Sequence, residues 1–443
     1  MKLCHTLLVI IFAASVVSRA QVIPADASPV GLPVSGTLRY DLRFSQTAEF
    51  GGGQNGQEWS FVSGDASYMN TAKRLPFNMQ YGGGYGYAWS GTTSPGNLFQ
   101  HLSLSQGIVG RKWNLTASDN VSYIFETPTT GCSGIPGTGE PIDCSGSTTQ
   151  PDQTVLSLNS RTLDNFTTIE FGDRFSSAWS LNVGGTFGQL RFIDNNGQDT
   201  DTWMTNAGVT RRLNARNSLS GQYSFTRYSY SSSNLASQDS NLQLSFTQDN
   251  TAQISFSRQW NRQVRTSVSA GPQWVSSSNN AIEPSSTRIS ASASVTDQLR
   301  FGTAGLSYSH GTTGGSGYML GAESDIASAY FSRGIGKNLT IGATGSYMRS
   351  AALSAYEFIE EQNGKFVLVP VNIAQVTNAK YGGVQATRQL GRSMNVFASY
   401  TVADQSSGLP SPFSGSSVTI LNGVSQVLAF GIGYSPRETH LKK

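Results

Sequence analysis

Charged residues are scarce in this chain of 443 residues. Asp, Glu, Lys and Arg make up 13% of the sequence, whereas soluble domains typically contain about 25%. Glycine, serine, threonine, asparagine and glutamine take their place. The chain therefore lacks the Leu-rich helical content of an ordinary globular enzyme, and it lacks the charge of a disordered protein. After the first twenty residues, no stretch approaches the roughly 18 apolar residues of a membrane-spanning helix.

Cysteine and histidine are also rare, with 3 and 4 residues respectively. Cys4 lies within an N-terminal export signal, so only Cys132 and Cys144 remain in the mature chain. An even pair in an exported protein predicts a disulfide, here one that closes a short loop rich in Gly, Pro and Ser. No histidine lies near this pair in the sequence. We therefore expect no metal site and no cofactor.

Residues 1–20 have the pattern of a secretory signal peptide. Lys2 provides the positive start, residues 7–17 form the apolar run, and Ser18 and Ala20 are the small residues before the cleavage point. The alternative is an N-terminal membrane helix, for which the apolar run is too short. The sequence therefore predicts export.

Positive and negative charges nearly balance. Loss of Lys2 and Arg19 with the signal leaves 28 basic residues against 27 acidic ones, which makes no case for a nucleic-acid partner. The basic residues collect at predicted tight turns: Lys73, Arg74, Arg111, Lys112, Arg211, Arg212, Arg216, Arg258, Arg262, Arg265, Arg333, Lys337, Arg388 and Arg392. The acidic residues collect in predicted long loops: Glu126, Glu140, Asp143, Asp152, Asp194, Asp199, Asp239, Glu283, Glu357, Glu360 and Glu361. An acidic mouth would raise the local cation concentration; alternatively, these charges merely solvate the loops.

Alternation with a period of two residues runs through the rest of the chain. One segment places apolar, aromatic or glycine residues at every second position: Phe77, Met79, Tyr81, Gly83, Tyr85, Tyr87 and Trp89. Such a period indicates an extended strand with one apolar face. About eighteen such segments, separated by turn residues, are typical of a transmembrane β-barrel. Only helices and closed barrels satisfy all backbone polar groups inside lipid.

The lengths of the connections support the same fold class, an all-β, antiparallel up-and-down barrel of about 18 strands (16–18). Short turns, one of them at 297–298, alternate with longer loops such as 49–56 and 126–160. An even number of strands places both chain ends in the periplasm. We expect a periplasmic lead over 21–35, the barrel over 36–435 and a periplasmic tail over 436–443. One segment, 241–258, is either one long strand or two strands broken by a turn at 248–250, and the alternation, which keeps its phase across 248–250, favours one long strand.

The alternation also predicts which side chains face lipid and which face the lumen. Arg39, Asp41 and Arg43 form a mixed-charge series on the lumen side of the first strand. Five apolar side chains are expected to face lipid: Leu42, Ile289, Ala293, Ile341 and Phe430. Aromatic residues near the strand ends predict belts at both lipid–water interfaces: Tyr85, Tyr87, Trp89, Trp113, Trp179, Trp260, Trp274 and Tyr434. Ordinary strand preference for aromatic residues is the alternative explanation.

The last strand, with Leu428, Phe430, Ile432 and Tyr434, is similar to the terminal strand that outer-membrane proteins present to the barrel assembly machinery. It departs from that pattern because residues 435–443 follow the final aromatic residue. Over residues 36–435 the chain resembles bacterial outer-membrane β-barrel proteins of the porin type. The resemblance implies a cell outer-membrane location, contact with membrane lipid and the assembly machinery, passage of small hydrophilic solutes, and possible homo-oligomers.

No enzyme signature accompanies this pattern. Ser309 and His310 suggest a nucleophile and a base, but a polar lumen or rim position explains them better. The glycine runs 51–53 and 82–84 are not phosphate-binding loops, because no strand–loop–helix unit with a lysine surrounds them. The sequence therefore predicts a diffusion channel. A structural or export-associated barrel and a surface adhesin that presents its loops are the alternatives.

The third long loop, 126–160, is the candidate constriction. In general-diffusion porins, which the architecture resembles, the third loop folds into the barrel. Here it carries four acidic residues, Glu126, Glu140, Asp143 and Asp152, and no basic residue before Arg161. Charge acts strongly in a narrow pore with low-dielectric walls. An inward loop would therefore favour cations, whereas an outward cap would not.

Overall fold

The computed structural model shows one closed β-barrel. It describes the residues 36–51, 54–72, 74–89, 96–125, 157–158, 161–193, 199–231, 245–278, 283–314, 321–353, 356–362, 365–371, 376–407, 419–420, 423–436 and 439–440. Within these ranges there is no helix long and apolar enough to cross a membrane.

Eighteen long strands form the wall of the barrel. In chain order they are β1 Thr37–Gly51, β2 Gln54–Asn70, β3 Phe77–Ala88, β4 Gly96–Val109, β5 Trp113–Phe125, β6 Arg161–Asp173, β7 Trp179–Phe192, β8 Thr200–Arg212, β9 Asn217–Tyr230, β10 Phe246–Gln259, β11 Val264–Ser277, β12 Ser286–Leu299, β13 Gly302–Thr313, β14 Ala322–Ile335, β15 Leu339–Ala352, β16 Val376–Leu390, β17 Met394–Ser407 and β18 Gly423–Tyr434. The predicted fold class and strand number are confirmed.

Each strand pairs antiparallel with its neighbours in the chain, and β18 closes the barrel against β1. In this closing ladder Leu42 lies opposite Tyr434, and Gln46 lies opposite Phe430. The short strand Thr439–His440 adds two further pairs to the start of β1. The start of β1 and the end of β18 therefore lie at the same end of the barrel as the short turns. We call this the turn end and the opposite end the loop end.

Short strands outside the wall occur at the loop end. Ser157–Leu158 pairs with Thr419–Ile420, and Tyr356–Gln362 forms a hairpin with Lys365–Val371. These backbone pairs join segments of the longer connections, so the loop end carries more secondary structure than the turn end.

Three local predictions can be compared with the structure. The described part of the ambiguous segment belongs to one strand, β10, which continues without a turn through 248–250. The predicted long loop 49–56 is wrong, because the ladder between β1 and β2 extends to Gly51 and Gln54; a register irregularity and the positive φ of Gly51 allow the close reversal. The predicted turn at 297–298 is also wrong. Both residues pair within β12, and the chain reverses at Arg300 and Phe301.

The two faces of the wall have opposite chemistry. Leu42 is 57% exposed and Ile254 is 66% exposed on the outer face, whereas Asp41 is only 2% exposed on the lumen face. Ile289 and Phe430 also lie exposed on the outer face, as the alternation predicts. Soluble proteins bury apolar side chains and expose charged ones. This reversal fits a barrel whose outer wall contacts hydrocarbon.

Candidate functional site

The lumen face of β1 brings charged side chains into the interior of the barrel. Asp41, Arg43, Ser45 and Thr47 alternate with outward side chains and are all buried. Arg39 lies on the same face nearer the turn end and is partly exposed. The structure therefore places Arg39, Asp41 and Arg43 where the alternation predicts them.

Arg43 is the centre of an ion-pair cluster. Its Nη2 lies 2.6 Å from Oδ2 of Asp41 and also pairs with Oδ2 of Asp65 on β2. The guanidinium is 4% exposed. Buried ions are tolerated only when they are paired. His101 on β4 faces the same space, because the ladders align Asp65 with Gly82 and Gly82 with His101.

Three glycines on the lumen face of β3 make room for this cluster and for the side chains above it. A Cβ on Gly82 would overlap the imidazole of His101 and the carboxylate of Asp65. At Gly84 a Cβ would lie 2.6 Å from the ring of Phe99, and at Gly86 it would overlap Phe61. Side chains from β2 and β4 therefore lie across the bare backbone of β3, which brings them together on one wall.

The wall opposite the charged cluster is lined with hydroxyl groups. From β9 to β15, inward serines on neighbouring strands are hydrogen-bonded in pairs. The pairs are Ser218 with Ser257, Ser220 with Ser255, Ser269 with Ser292, Ser307 with Ser328, and Ser324 with Ser350, at 2.6–3.1 Å between oxygens. Each hydroxyl both donates and accepts. The lumen therefore has the ion-pair cluster of Arg43 on one wall and paired serine hydroxyls on the wall that faces it.

A ring of buried apolar side chains surrounds the lumen near the loop end. We call it the apolar collar. Its members face inward from strands around the barrel, and each is less than a tenth exposed: Trp59, Phe61, Phe99, Phe166, Leu190, Phe192, Val275, Met348, Tyr381 and Val427. A collar this deeply buried narrows the pathway above the hydroxyl wall.

Glu283 and Gly314, which lie at the ends of two loop-end connections, contact inward side chains of the wall. Thr247 on β10 donates a 2.9 Å hydrogen bond to Oε2 of Glu283, which lies between β11 and β12 and is 2% exposed. Tyr230 on β9 donates a 3.3 Å hydrogen bond to the carbonyl of Gly314, which follows β13. Neither strand leads into the connection that it contacts, so both hydrogen bonds are tertiary contacts at the loop end.

The Glu283 contact predicts a dependence on pH. Burial raises the pKa of Glu283, and the Thr247 hydrogen bond and the charge of Arg288 offset part of that increase. Because the pKa of Glu283 is raised where it is buried against Thr247, ionisation of Glu283 weakens this buried contact. Protonation of Glu283 as the pH falls through that pKa strengthens the contact. We therefore expect single-channel conductance to fall as the pH is lowered from neutral. Glu283→Gln should remove that dependence. An unchanged pH response in the variant would contradict this assignment.

The predicted aromatic residues lie on the outer face near both ends of the barrel. Tyr87 and Trp89 make an edge contact with 5.1 Å between ring centroids at the loop end. At the turn end, the guanidinium of Arg211 lies 5.3 Å from the ring of Trp179, and that of Arg258 lies 4.0 Å from Trp260. The remaining members are exposed as well: Tyr85, Trp113, Trp274 and Tyr434.

The predictions about the third long loop concern residues outside the described ranges. They are the candidate constriction residues Glu126, Glu140, Asp143 and Asp152 and the cysteines Cys132 and Cys144. The structure therefore does not bear on that loop or on the disulfide.

Ser309 and His310 point to opposite faces of β13. The ladder places Ser309 on the lumen side with Ser292, whereas His310 faces outward and contacts Asp325 at 2.9 Å and Glu323 at 3.3 Å. A nucleophile and its base cannot act from opposite faces of one strand. Among the described residues, no group of three or more His, Cys, Asp or Glu side chains could hold a metal ion.

Sequence reasoning missed Asp65 and His101. Both come from strands whose pairing with β1 and β3 cannot be read from local alternation. One signal was available: Gly82, Gly84 and Gly86 occupy every second position, so they share one face of β3. Three bare positions on one face indicate that neighbouring side chains lie across them.

Comparison with known proteins finds no matching family model and no matching curated protein. Solved structures with a similar fold include OccK2 (OpdF) of Pseudomonas aeruginosa, with 10% identity, coverage of 91% of this chain and 98% of that chain, and a TM-score of 0.42. OpdQ of the same organism has 9% identity, coverage of 90% and 98%, and a TM-score of 0.39. The siderophore receptor PirA from Acinetobacter baumannii has 8% identity, coverage of 92% and 81%, and a TM-score of 0.42.

The class of protein follows from the chain's own strand pairing and from its two faces. Eighteen antiparallel strands close on themselves, the outer face is apolar, and the interior is polar. The chain therefore forms a closed antiparallel β-barrel with the apolar exterior and polar interior of a transmembrane barrel.

Proposed function

We propose that this protein is an outer-membrane channel for passive diffusion of small hydrophilic solutes. The observation that carries the proposal is the hydroxyl wall facing the Arg43 cluster inside a barrel with an apolar outer face. Barrels of 16–18 strands leave an aqueous channel. A wall of serine hydroxyls can replace part of a solute's hydration without binding it tightly. The channel carries out no covalent chemistry and uses no cofactor in this proposal.

We further propose a weak preference for cations. On β1–β6 the described lumen positions carry five carboxylates, Asp41, Glu49, Asp65, Asp164 and Glu170, against the guanidinium groups of Arg39 and Arg43. The sign of the excess charge in a narrow polar pathway sets the sign of the ions that concentrate there. Contact with the assembly machinery and homo-oligomer formation remain proposals that follow from the fold class.

Single-channel recording of the refolded protein in planar bilayers tests the proposal. We expect discrete conductance steps and a reversal potential that favours cations in a salt gradient. A correctly folded, heat-modifiable barrel that gives no conductance at any pH would contradict the channel and favour the structural or export alternative.

The buried apolar collar supports that second candidate. Each apolar side chain of this ring is less than a tenth exposed. Such a ring fits a barrel whose lumen opens only when a partner displaces the connections at the loop end. Copurification with a periplasmic export partner, without conductance of the isolated barrel, would favour it.

Deletion of residues 128–150 tests the candidate constriction loop. If the loop folds into the lumen, the deletion should increase conductance and weaken the cation preference, because it removes Glu140 and Asp143. A control variant that replaces residues 128–150 with the same number of serines keeps the length of the loop and removes its charge. It separates the effect of the loop's bulk on conductance from the effect of its charge on the cation preference. If both properties stay unchanged in a folded barrel, the loop belongs to the cell surface.

A further inference from the structure

An apolar groove lies on the outer wall across the closure of the barrel. It runs over β15–β18 and β1, and its walls are the outward side chains of Phe44, Ala386, Val396, Ala398, Phe430 and Ile432. Small side chains form its floor, because Ala386 and Ala398 lie directly opposite each other in the ladder between β16 and β17. Larger side chains flank this floor: Leu339 on the side of β15, and Phe430 and Phe44 on the side of β18 and β1. The groove is therefore mainly apolar, with Gln46 as a polar member of its lining.

A cationic side chain marks the turn end of the groove. Arg388 belongs to the groove lining and lies opposite Leu339 in the ladder between β15 and β16. Its side chain is exposed, and no ion-pair partner for it occurs among the described residues. Lys337 and Arg392 lie in the turns on either side and are also exposed. Three positive charges therefore lie at the turn end of the apolar groove on the outer wall.

From this juxtaposition we propose that the groove is a binding site for one phospholipid with an anionic headgroup. An acyl chain would lie along Ala386 and Ala398, and the headgroup phosphate would contact the guanidinium of Arg388. Arginine pairs well with phosphate because its planar fork donates parallel hydrogen bonds. The placement at the turn end assigns the lipid to the periplasmic leaflet. The inference needs the membrane location but not the channel activity.

The site spans the seam at which the barrel closes. β18 and β1 pair only after the whole chain has been made, because one is the last strand of the wall and the other the first. A lipid bound across this seam contacts both strands through Phe430 and Phe44. Bound lipid should therefore stabilise the closed barrel through linkage, since it binds the folded state alone.

Native mass spectrometry of the full-length mature protein in detergent tests the site. Dioleoyl phosphatidylglycerol and dioleoyl phosphatidylcholine share acyl chains and differ in headgroup charge. We expect the wild type to retain one phosphatidylglycerol at a concentration at least fivefold lower than that needed for phosphatidylcholine. Arg388→Gln should abolish that preference. Arg211→Gln removes an outward guanidinium on the opposite wall, where it stacks on Trp179, and should leave the preference unchanged.

A second pair of variants tests the groove itself. Ala398→Trp fills the floor and should reduce retention of both lipids, whereas Ala270→Trp adds the same ring on the outer face of β11 and should not. Equal effects of the two arginine variants would show a general basic rim and overturn the site. Equal effects of the two tryptophan variants would do the same. A protein dimer in place of the lipid adduct, abolished by Ala398→Trp, would assign the groove to a second copy and also overturn the proposal.

Discussion

Ile254→Arg should prevent or strongly impair assembly of the barrel. Ile254 lies near the middle of β10 on its outer face, and the residue is 66% exposed. In the membrane its side chain therefore contacts hydrocarbon. A lipid-facing arginine at the bilayer midplane costs roughly 2–4 kcal/mol. That loss is a large fraction of the 5–15 kcal/mol that typically stabilises a folded protein. The fraction of heat-modifiable protein after refolding into liposomes, together with its urea midpoint, measures the effect.

Ser255→Arg is the matched control for this prediction. Ser255 is the next residue along the strand, but its side chain faces the lumen and hydrogen-bonds Ser220 at 2.6 Å. An arginine there remains hydrated, so assembly should proceed. Its added positive charge should lower the conductance and weaken the cation preference. Equal assembly of the two variants would show that the inner and outer faces of β10 have been exchanged.

Arg43→Gln should have the largest effect of any lumen substitution. The change leaves the buried Asp41 and the partly exposed Asp65 without the guanidinium that both contact. Removing one partner of a buried ion pair typically costs about 3–5 kcal/mol. The urea midpoint should fall accordingly, and the reversal potential should shift further towards cations, because two carboxylates then face the pathway alone.

A triple variant distinguishes lost charge pairing from lost packing. Asp41→Asn, Asp65→Asn and Arg43→Gln together leave no charge at this point, and they share the glutamine side chain at position 43, and hence its packing, with the single variant. If the ion pairs are the cause, the triple variant should recover most of the stability, and its cation preference should fall below that of the wild type. A triple variant as unstable as Arg43→Gln alone would instead identify the packing of the Arg43 side chain as the important contribution.

The sequence predicted the barrel wall well because the relevant signal is local. Side chains alternate along any strand, so the order Asp41, Leu42, Arg43 is enough to assign two faces once the strand is recognised. The same rule identified β10 as one strand, since the phase is kept on both sides of 248–250. Connections were less predictable. The reversal at Gly51 depends on a ladder that continues beyond the expected strand ends.

The lumen site was predicted only where it lies on a single strand. Arg39, Asp41 and Arg43 share β1, and alternation alone places them on one face. Asp65 and His101 join them from β2 and β4, and the register that aligns the three strands is a property of the ladders. The contact between Thr247 and Glu283 could not be predicted either, because it joins β10 to the connection between β11 and β12.

The sequence by itself determined the class of fold, the number of strands and the chemistry of the two faces, because each follows from a period of two and from the spacing of turns. Only the tertiary structure decided which side chains meet. The ion-pair cluster of Arg43, the apolar collar and the groove beside Arg388 all combine side chains from different strands. Their positions depend on the stagger between neighbouring strands and on the closure of β18 against β1, and neither leaves a local trace in the chain.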